Sequence, residues 1–307
     1  MRAYYSDHFV LPLPDGHRFP MTKYARLRAR VVAEGVVPAH EVIEAPAATW
    51  DELRLAHAAA YIRAVADGSL PPETLRRIGF PWSPAMVERS RRSAGATIAA
   101  AYAALSDGVA VNLAGGTHHA FADRGEGYCV FNDVAVAARV LQRDTRCRRL
   151  AVVDCDVHQG NGTAAIFRDD PSVFTFSMHG DKNYPFRKET SDLDVELADG
   201  TGDADYLALL ARHLPTVIAG HTPAIVFYLA GADPYEGDRL GRLALTMDGL
   251  LQRDQLVFDA CRAARIPIAV VMSGGYAPDV DDIVAIHLAT VRAAAATAAI
   301  WPRPFPA

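Results

Sequence analysis

The sequence predicts an α/β fold: a single open, mostly parallel β-sheet with helices on both faces. Three observations predict it. Five short apolar runs rich in β-branched residues recur along the chain, as buried parallel strands do. Amphipathic stretches of helical length lie between them. Each run ends in glycines and polar side chains, and open α/β sheets bind ligands beyond the carboxyl ends of their strands. The 307 residues, 50% apolar and 22% charged, suit one domain spanning 1–307; no repeat or low-complexity linker divides them.

The elements follow in order. The segment around Pro12-Leu13-Pro14-Asp15-Gly16 reads as loop, and so do residues 67–83, which are placed to border a site entrance. A helix starts with Ser83 as N-cap and Pro84 at its first position, and ends near Gly108. The strands are Val109–Leu113, Leu150–Val153, Val173–Phe176, Ile225–Leu229 and Ile268–Met272. Further helices are predicted at Asn132–Arg143, Ala204–Ala219, Asp248–Ala264 and Asp281–Ala299. The prolines of Trp301-Pro302-Arg303-Pro304-Phe305-Pro306 exclude a helix and put that tail on the surface.

Composition narrows the function. The formal net charge is −5 and the basic residues are scattered, so a nucleic-acid partner is not expected. The main basic cluster, Arg89, Arg91 and Arg92, reads as a solvated helix face. No apolar run approaches membrane-spanning length, and Met1–Asp7 has no signal-peptide core. Cys129, Cys147, Cys155 and Cys261 form no C-x-x-C pair and read as free thiols of a reducing cytoplasm. Abundant Ala and Arg hint at a GC-rich bacterial genome.

The strand ends carry the chemistry. They lead to Gly115-Gly116-Thr117-His118-His119, to Asp154-Cys155-Asp156-Val157-His158 with Gln159-Gly160-Asn161-Gly162, to Ser177-Met178-His179, to Gly231-Ala232-Asp233-Pro234 and to Ser273-Gly274-Gly275-Tyr276. In an extended strand Asp154, Asp156 and His158 share one face. Two carboxylates and an imidazole there cost desolvation energy unless a cation meets them, which points to a divalent metal and a metallohydrolase. Singly, each motif has a plainer reading: a chance His-His pair, a hydrogen-bonded loop, a turn cap at Asp233, a packed aromatic at Tyr276. Together, at one end of one sheet, they favour a shared site.

These motifs, in this order, resemble the histone deacetylase family, of the arginase/deacetylase fold. The resemblance runs through nearly the whole chain, from His17-Arg18-Phe19-Pro20-Met21 through Gly115–His119, Gly127-Tyr128-Cys129 with Asn132-Asp133, Asp154–Gly162 and Gly231–Asp233 to Ser273–Tyr276. The segments His158–Gly162 and Glu236-Gly237-Asp238-Arg239-Leu240-Gly241 look like the class IV branch and its bacterial relatives.

The resemblance implies a zinc-dependent hydrolase of linear amide C–N bonds, a deacylase acting on acetyl- or longer acyl-lysine of a protein or peptide. An amidohydrolase of small acetylated amines, such as acetylpolyamines, is the alternative for the same site. A ureohydrolase would use a two-metal cluster bridged by several aspartates, and a non-catalytic acyl-lysine binder would hold such a peptide without cleaving it.

By the same resemblance Zn²⁺ is held by Asp156, His158 and Asp233, with Fe²⁺ possible for so carboxylate-rich a set. His119 is the general base, and His118 is its neighbour, oriented by Asp154, which moves behind the metal shell. Tyr276 donates to the oxyanion. Asn161 stands where many relatives have an aspartate beside the base, and Gln159 where many have another histidine. Gly127 and Tyr128 lie on the substrate channel. K⁺ or Na⁺ is implied near Asp154, Asp156, His158, Ser177 and Met178. Acyl length and oligomeric state are not set by the sequence.

Overall fold

Eight strands form one parallel sheet in a computed structural model that describes residues 1–14, 16–145 and 147–301. They are β1 (Ala3–Tyr5), β2 (Val42–Glu44), β3 (Val109–Asn112), β4 (Leu150–Asp154), β5 (Val173–Gly180), β6 (Leu193–Leu197), β7 (Val226–Leu229) and β8 (Ile268–Val271). Their order across the sheet is β2-β1-β3-β8-β7-β4-β5-β6, every neighbouring pair parallel. The five predicted strands, β3, β4, β5, β7 and β8, form its centre. The three unpredicted strands lie towards its edges. β1 and β2 have three residues each, and Leu193-Asp194-Val195-Glu196-Leu197 alternates apolar with acidic, as a half-exposed edge does.

Central strands are buried on both sides. Ala110, Val152, Phe227, Ala269 and Val271 face one core. Val109, Val111, Ala151, Val153, Val226, Tyr228, Ile268 and Val270 face the other. Fully burying one such aliphatic or aromatic side chain stabilises by about 1.5–3 kcal/mol, so neither face tolerates a register slip.

Among the described residues ten α-helices surround the sheet: α1 (Lys23–Ala33), α2 (Trp50–Leu53), α3 (Ala59–Asp67), α4 (Pro72–Ile78), α5 (Pro84–Asp107), α6 (Asp133–Asp144), α7 (Asn161–Phe167), α8 (Asp203–Pro215), α9 (Met247–Ala264) and α10 (Val280–Ala299). The cap predicted at Ser83 is formed, and Asn132, read from the sequence as the first helical residue, is instead the N-cap of α6. The Ser83 side chain accepts the Met86 N–H, and Asn132 accepts that of Ala135. At α8 the α-helix stops at Pro215 and passes into a π-helical turn, Thr216–Gly220.

Four expectations are corrected. Residues 67–83 are not one loop: Pro72 starts α4 and Gly79 ends it at φ +81°, although the segment does border the site mouth. The Arg89–Arg92 cluster is not a solvated face. Arg91 and Arg92 hydrogen-bond the carbonyls of Ala48 and Ala45, and Arg89 stacks on Phe19 and Tyr24. α10 is long and apolar enough to cross a membrane, yet it packs as a core helix, burying Ile283, Val284, Leu288 and Val291. Trp301 is packed against Gly108 rather than free on the surface; the rest of the predicted tail, 302–306, lies outside the described residues.

Candidate active site

The site lies beyond the carboxyl ends of β3, β4, β7 and β8. After β3 the chain turns on Gly115 and Gly116, at φ +79° and +77°. A side chain at Gly116 would meet Ser273 Cα at 2.6 Å, so the β3 and β8 loops touch only through glycine. The Asp133 carboxylate accepts the N–H groups of Gly116 and Thr117, at 3.0 and 2.8 Å. That grip presents His118 and His119 side by side, their rings 4.1 Å apart.

Behind this loop stands His57, which sequence reasoning missed. Its Nδ1–H donates to Phe121 O and its Nε2 accepts the Asn132 N–H, both at 2.9 Å. Only the neutral imidazole makes both bonds. Burial accordingly lowers its pKa to about 4.

Beyond β4, Asp154 Oδ2 lies 2.6 Å from His118 Nδ1 and its Oδ1 accepts the Asp156 N–H. Asp156 Oδ2 receives the Ser273 hydroxyl and the Gly274 N–H, at 2.7 and 2.8 Å. Asp233, beyond β7, accepts the Val157 N–H. Beneath both loops the buried Arg253 donates to Gly231 O at 2.6 Å and Cys155 O at 3.3 Å, and pairs with Asp254 at 2.8 Å.

Asp156, His158 and Asp233 each bring one ligand atom within 4.8 Å of the others, and all three are buried. His158 Nδ1 lies 2.9 Å from Asp156 Oδ1 and 3.2 Å from Asp233 Oδ2. Gly274 leaves the space open, since a Cβ there would sit 1.8 Å from Asp233 Oδ2. Without an ion the charges compensate by protons. Burial opposes charge on His158, yet its bonds to Asp156 and Asp233 raise its pKa to about 10. Burial and the Asp156 carboxylate raise Asp233 to about 7. Two carboxylates around one imidazole, in a pocket kept clear by glycine, fit a divalent metal. Asp154 is not in this cluster. It backs His118, whose pKa rises to about 9 through Asp154 and Asp156 although burial opposes it.

His119 is held differently. Its Nδ1 lies 2.7 Å from Asn161 Oδ1, and Asn161 Nδ2 donates at 2.7 Å to Glu126 Oε1. The amide nitrogen is thus committed to Glu126, the amide oxygen faces the ring, and Nδ1 carries the hydrogen, leaving Nε2 with its lone pair. Burial, with His118 and His158 nearby, holds the His119 pKa well below the usual histidine range. Tyr184 also donates to Glu126 Oε1, at 2.9 Å, and its ring stands edge-on to His119 at 5.0 Å.

Tyr276 is gripped by its backbone: its N–H donates to Asp238 Oδ2 at 2.6 Å and its carbonyl accepts from Arg239 Nε at 3.1 Å. Burial, Asp156 and Asp233 raise its phenol pKa well above the ordinary value, so it keeps its proton. The buried Lys23 lies 3.3 Å from the carbonyls of both Ser273 and Gly275.

Gly127 and Tyr128 form a left-handed pair, at φ +56° and +64°. A Cβ on Gly127 would meet His119 Cδ2 at 2.5 Å; Tyr128 stacks among Phe19, Phe80 and Tyr276 at 5.2–6.0 Å. They line a cavity of about 480 Å³ that opens outward from His119, His158 and Tyr276. A second chamber, about 40 Å³, lies among Phe19, Tyr24, Arg89, His118 and Gly274. Ser177 stands beside Asp154 in the β4–β5 register, and Gly180 N–H donates to Val157 O at 3.0 Å, bringing the Ser177–Met178 strand against the Asp156–His158 loop.

His118, His119, Asp156, His158, Gly274 and Tyr276 line the cavities and Asp154, Asn161 and Asp233 stand directly behind them, whereas Ser177, Met178 and His179 flank the site and Gln159 turns away to Glu189 O and Asp194. Sequence reasoning also missed Glu126, Tyr184, Lys23 and Arg253, and of these Glu126, Lys23 and Arg253, like His57, carried no local pattern. For Tyr184 a signal existed, since Asn183-Tyr184-Pro185-Phe186 is a polar-aromatic turn after a strand.

The chain has the arginase/deacetylase fold, with a cluster that could hold a metal ion, Asp156, His158 and Asp233, at the carboxyl end of its parallel sheet. The HD domain of HDA15 superposes on it with a TM-score of 0.81 at 23% identity, covering 96% of this chain and 88% of that one. Residues 17–291 match the histone deacetylase domain. The chain is 46% identical over 292 residues to an uncharacterized protein of Picosynechococcus sp. (94% of this chain, 97% of that one). It is 31% identical to the histone deacetylase-like amidohydrolase of Pseudomonas aeruginosa (86% and 74%). The chain belongs to the histone deacetylase family and is a hydrolase of amide bonds, a deacetylase acting on an acylated substrate.

Proposed function

We propose that the protein is a zinc-dependent lysine deacylase, with Fe²⁺ the other ion its ligand set admits. The observation that carries this is the placing of a buried Asp156-His158-Asp233 set beside His119, whose Nε2 is free, and under Tyr276. Once bound there, the ion supplies polarisation of the amide carbonyl and a more acidic water. His119 is placed to take a water proton at Nε2 and to return it to the leaving amine. Asn161, backed by Glu126, holds the ring in the tautomer this requires. Tyr276 donates its phenol hydrogen to the carbonyl oxygen as negative charge develops, a contact typically worth about 10²–10³ in rate. The channel between Gly127, Tyr128 and Tyr184 receives the acyl-lysine side chain.

The inner chamber is small, about 40 Å³ against about 480 Å³ for the outer cavity, a fit for acetyl rather than a long acyl chain. The oxygen-rich setting of Asp154 and Ser177 suits K⁺ or Na⁺, the Glu236–Gly241 segment suits the class IV-like branch, and four free thiols suit a cytoplasmic, reducing setting. The test is turnover of one lysine peptide carrying acetyl, butyryl, octanoyl or myristoyl groups, with Zn²⁺ and with Fe²⁺. Acetyl should lead. Turnover no greater than in His119→Ala with every acyl group would reject the deacylase reading.

A further inference from the structure

The mouth of the channel is cationic. Arg76, Arg77, Lys182, Arg239 and Arg242 line the 480 Å³ cavity and no carboxylate does, among the described residues. Arg18 joins Arg239 in the adjoining recess over Tyr276. All six side chains are exposed, in a chain whose formal net charge is −5. Their ion-pair partners among the described residues are few: Glu73 meets Arg77 at 2.7 Å, and Asp199 is shared by Lys182 at 3.8 Å and Arg242 at 3.3 Å. Two carboxylates therefore answer six cations, and Arg18 and Arg76 have no acidic partner among the described residues.

The cations come from four separate segments that surround the opening, so several anionic groups can be met at once. Phe186, 86% exposed, and Leu240 add apolar contact on the same rim. Arg239 ties the rim to the chemistry, because its Nε already holds the Tyr276 carbonyl and its terminal nitrogens have no partner among the described residues.

We infer that the preferred substrate is an acyl-lysine set in an acidic peptide segment, with Asp or Glu on both sides of the modified residue. The inference rests on the deacylase reading and names its substrate class. A cationic acetylpolyamine is disfavoured by the same rim, since like charges at a binding surface raise the energy of encounter. Acidic flanks gain several exposed pairs, each worth little, which together give about a tenfold preference at low salt. The preference fades as ionic strength rises and the screening length shrinks to about 8 Å near 0.15 M.

The experiment compares kcat/KM for peptides with one acyl-lysine flanked by Asp/Glu, by Ser/Gly or by Lys/Arg, at 20 and 300 mM salt. An acetylated small amine bearing a carboxylate and acetylspermidine are two further arms. The expected result is acidic over neutral over basic, with the gap closing at 300 mM. In the Arg76→Gln, Arg242→Gln double variant the acidic peptide should lose its advantage through KM, while the neutral peptide is cleaved as by the wild type. Equal rates, a preference for basic flanks, or faster cleavage of either small amine would overturn the inference. Cleavage of nothing in the series would instead remove the deacylase reading beneath it.

Discussion

At the scale of single residues, two carboxylates only two positions apart have different tasks. Asp156 shares its cluster with His158 and Asp233; Asp154 hydrogen-bonds His118. Asp154→Asn should keep metal content near that of the wild type and lower kcat by about 10–100-fold, whereas Asp156→Asn should lose the metal. Elemental analysis beside steady-state kinetics separates them, and equal metal loss in both variants would restore Asp154 as a ligand. Glu126 acts one step further out, through Asn161. Glu126→Gln removes the carboxylate that fixes the amide, so kcat should fall about tenfold with KM little changed. Restoration of activity by Glu126→Asp would mark a positional role.

At the scale of elements, α6 and the His118–His119 loop depend on one neutral histidine between α2 and α3. Asn132 caps α6, holds Ala120 O through Nδ2 and donates its N–H to His57. The His57 pKa is depressed in the fold from 6.5 to about 4, so the unfolded chain takes the proton first. Its contribution is present in full above about pH 6.5, declines as pH falls towards 4 and changes no further below that. The difference amounts to roughly 3 kcal/mol. Urea unfolding at pH 7.5, 5.5 and 4.5 should show wild type losing stability over this window faster than His57→Gln. Parallel losses in the two would assign the acid sensitivity to other groups.

At the scale of the molecule, the sheet converges charge at one end, where a metal ion would answer it. Asp156, Asp233 and His158 are all buried, so the metal-free protein holds them only by shifting protons, with Asp233 raised to about 7. A divalent ion that binds the folded chain at 100 times its Kd should stabilise it by about 2.7 kcal/mol. Thermal unfolding after chelation and again after Zn²⁺ is restored measures this; an unchanged Tm would mean that the cluster does not take up the ion.

The chain displays its own fold where physics is local. β3, β4, β5, β7 and β8 are legible because strands buried on both faces must be continuously apolar, whereas β1, β2 and β6 are too short or too polar at an edge to stand out. α5 is legible through a cap that acts within one turn, and α6 through its helical stretch between two strands. The groups at each strand end follow, since strand direction alone brings them to one side. By itself the sequence determined the sheet centre, the capped helices and the chemical types gathered at the carboxyl edge.

Only the tertiary structure decided how those groups divide their work. It brought Asp233 from β7 to His158, turned Asp154 towards His118, set Glu126 behind Asn161 and Arg253 beneath two loops, and drew six cations from four segments around one mouth. The reason is range. Propensity, caps and side-chain alternation act over a few residues, whereas desolvation and charge pairing act across whatever the fold brings within a few ångströms.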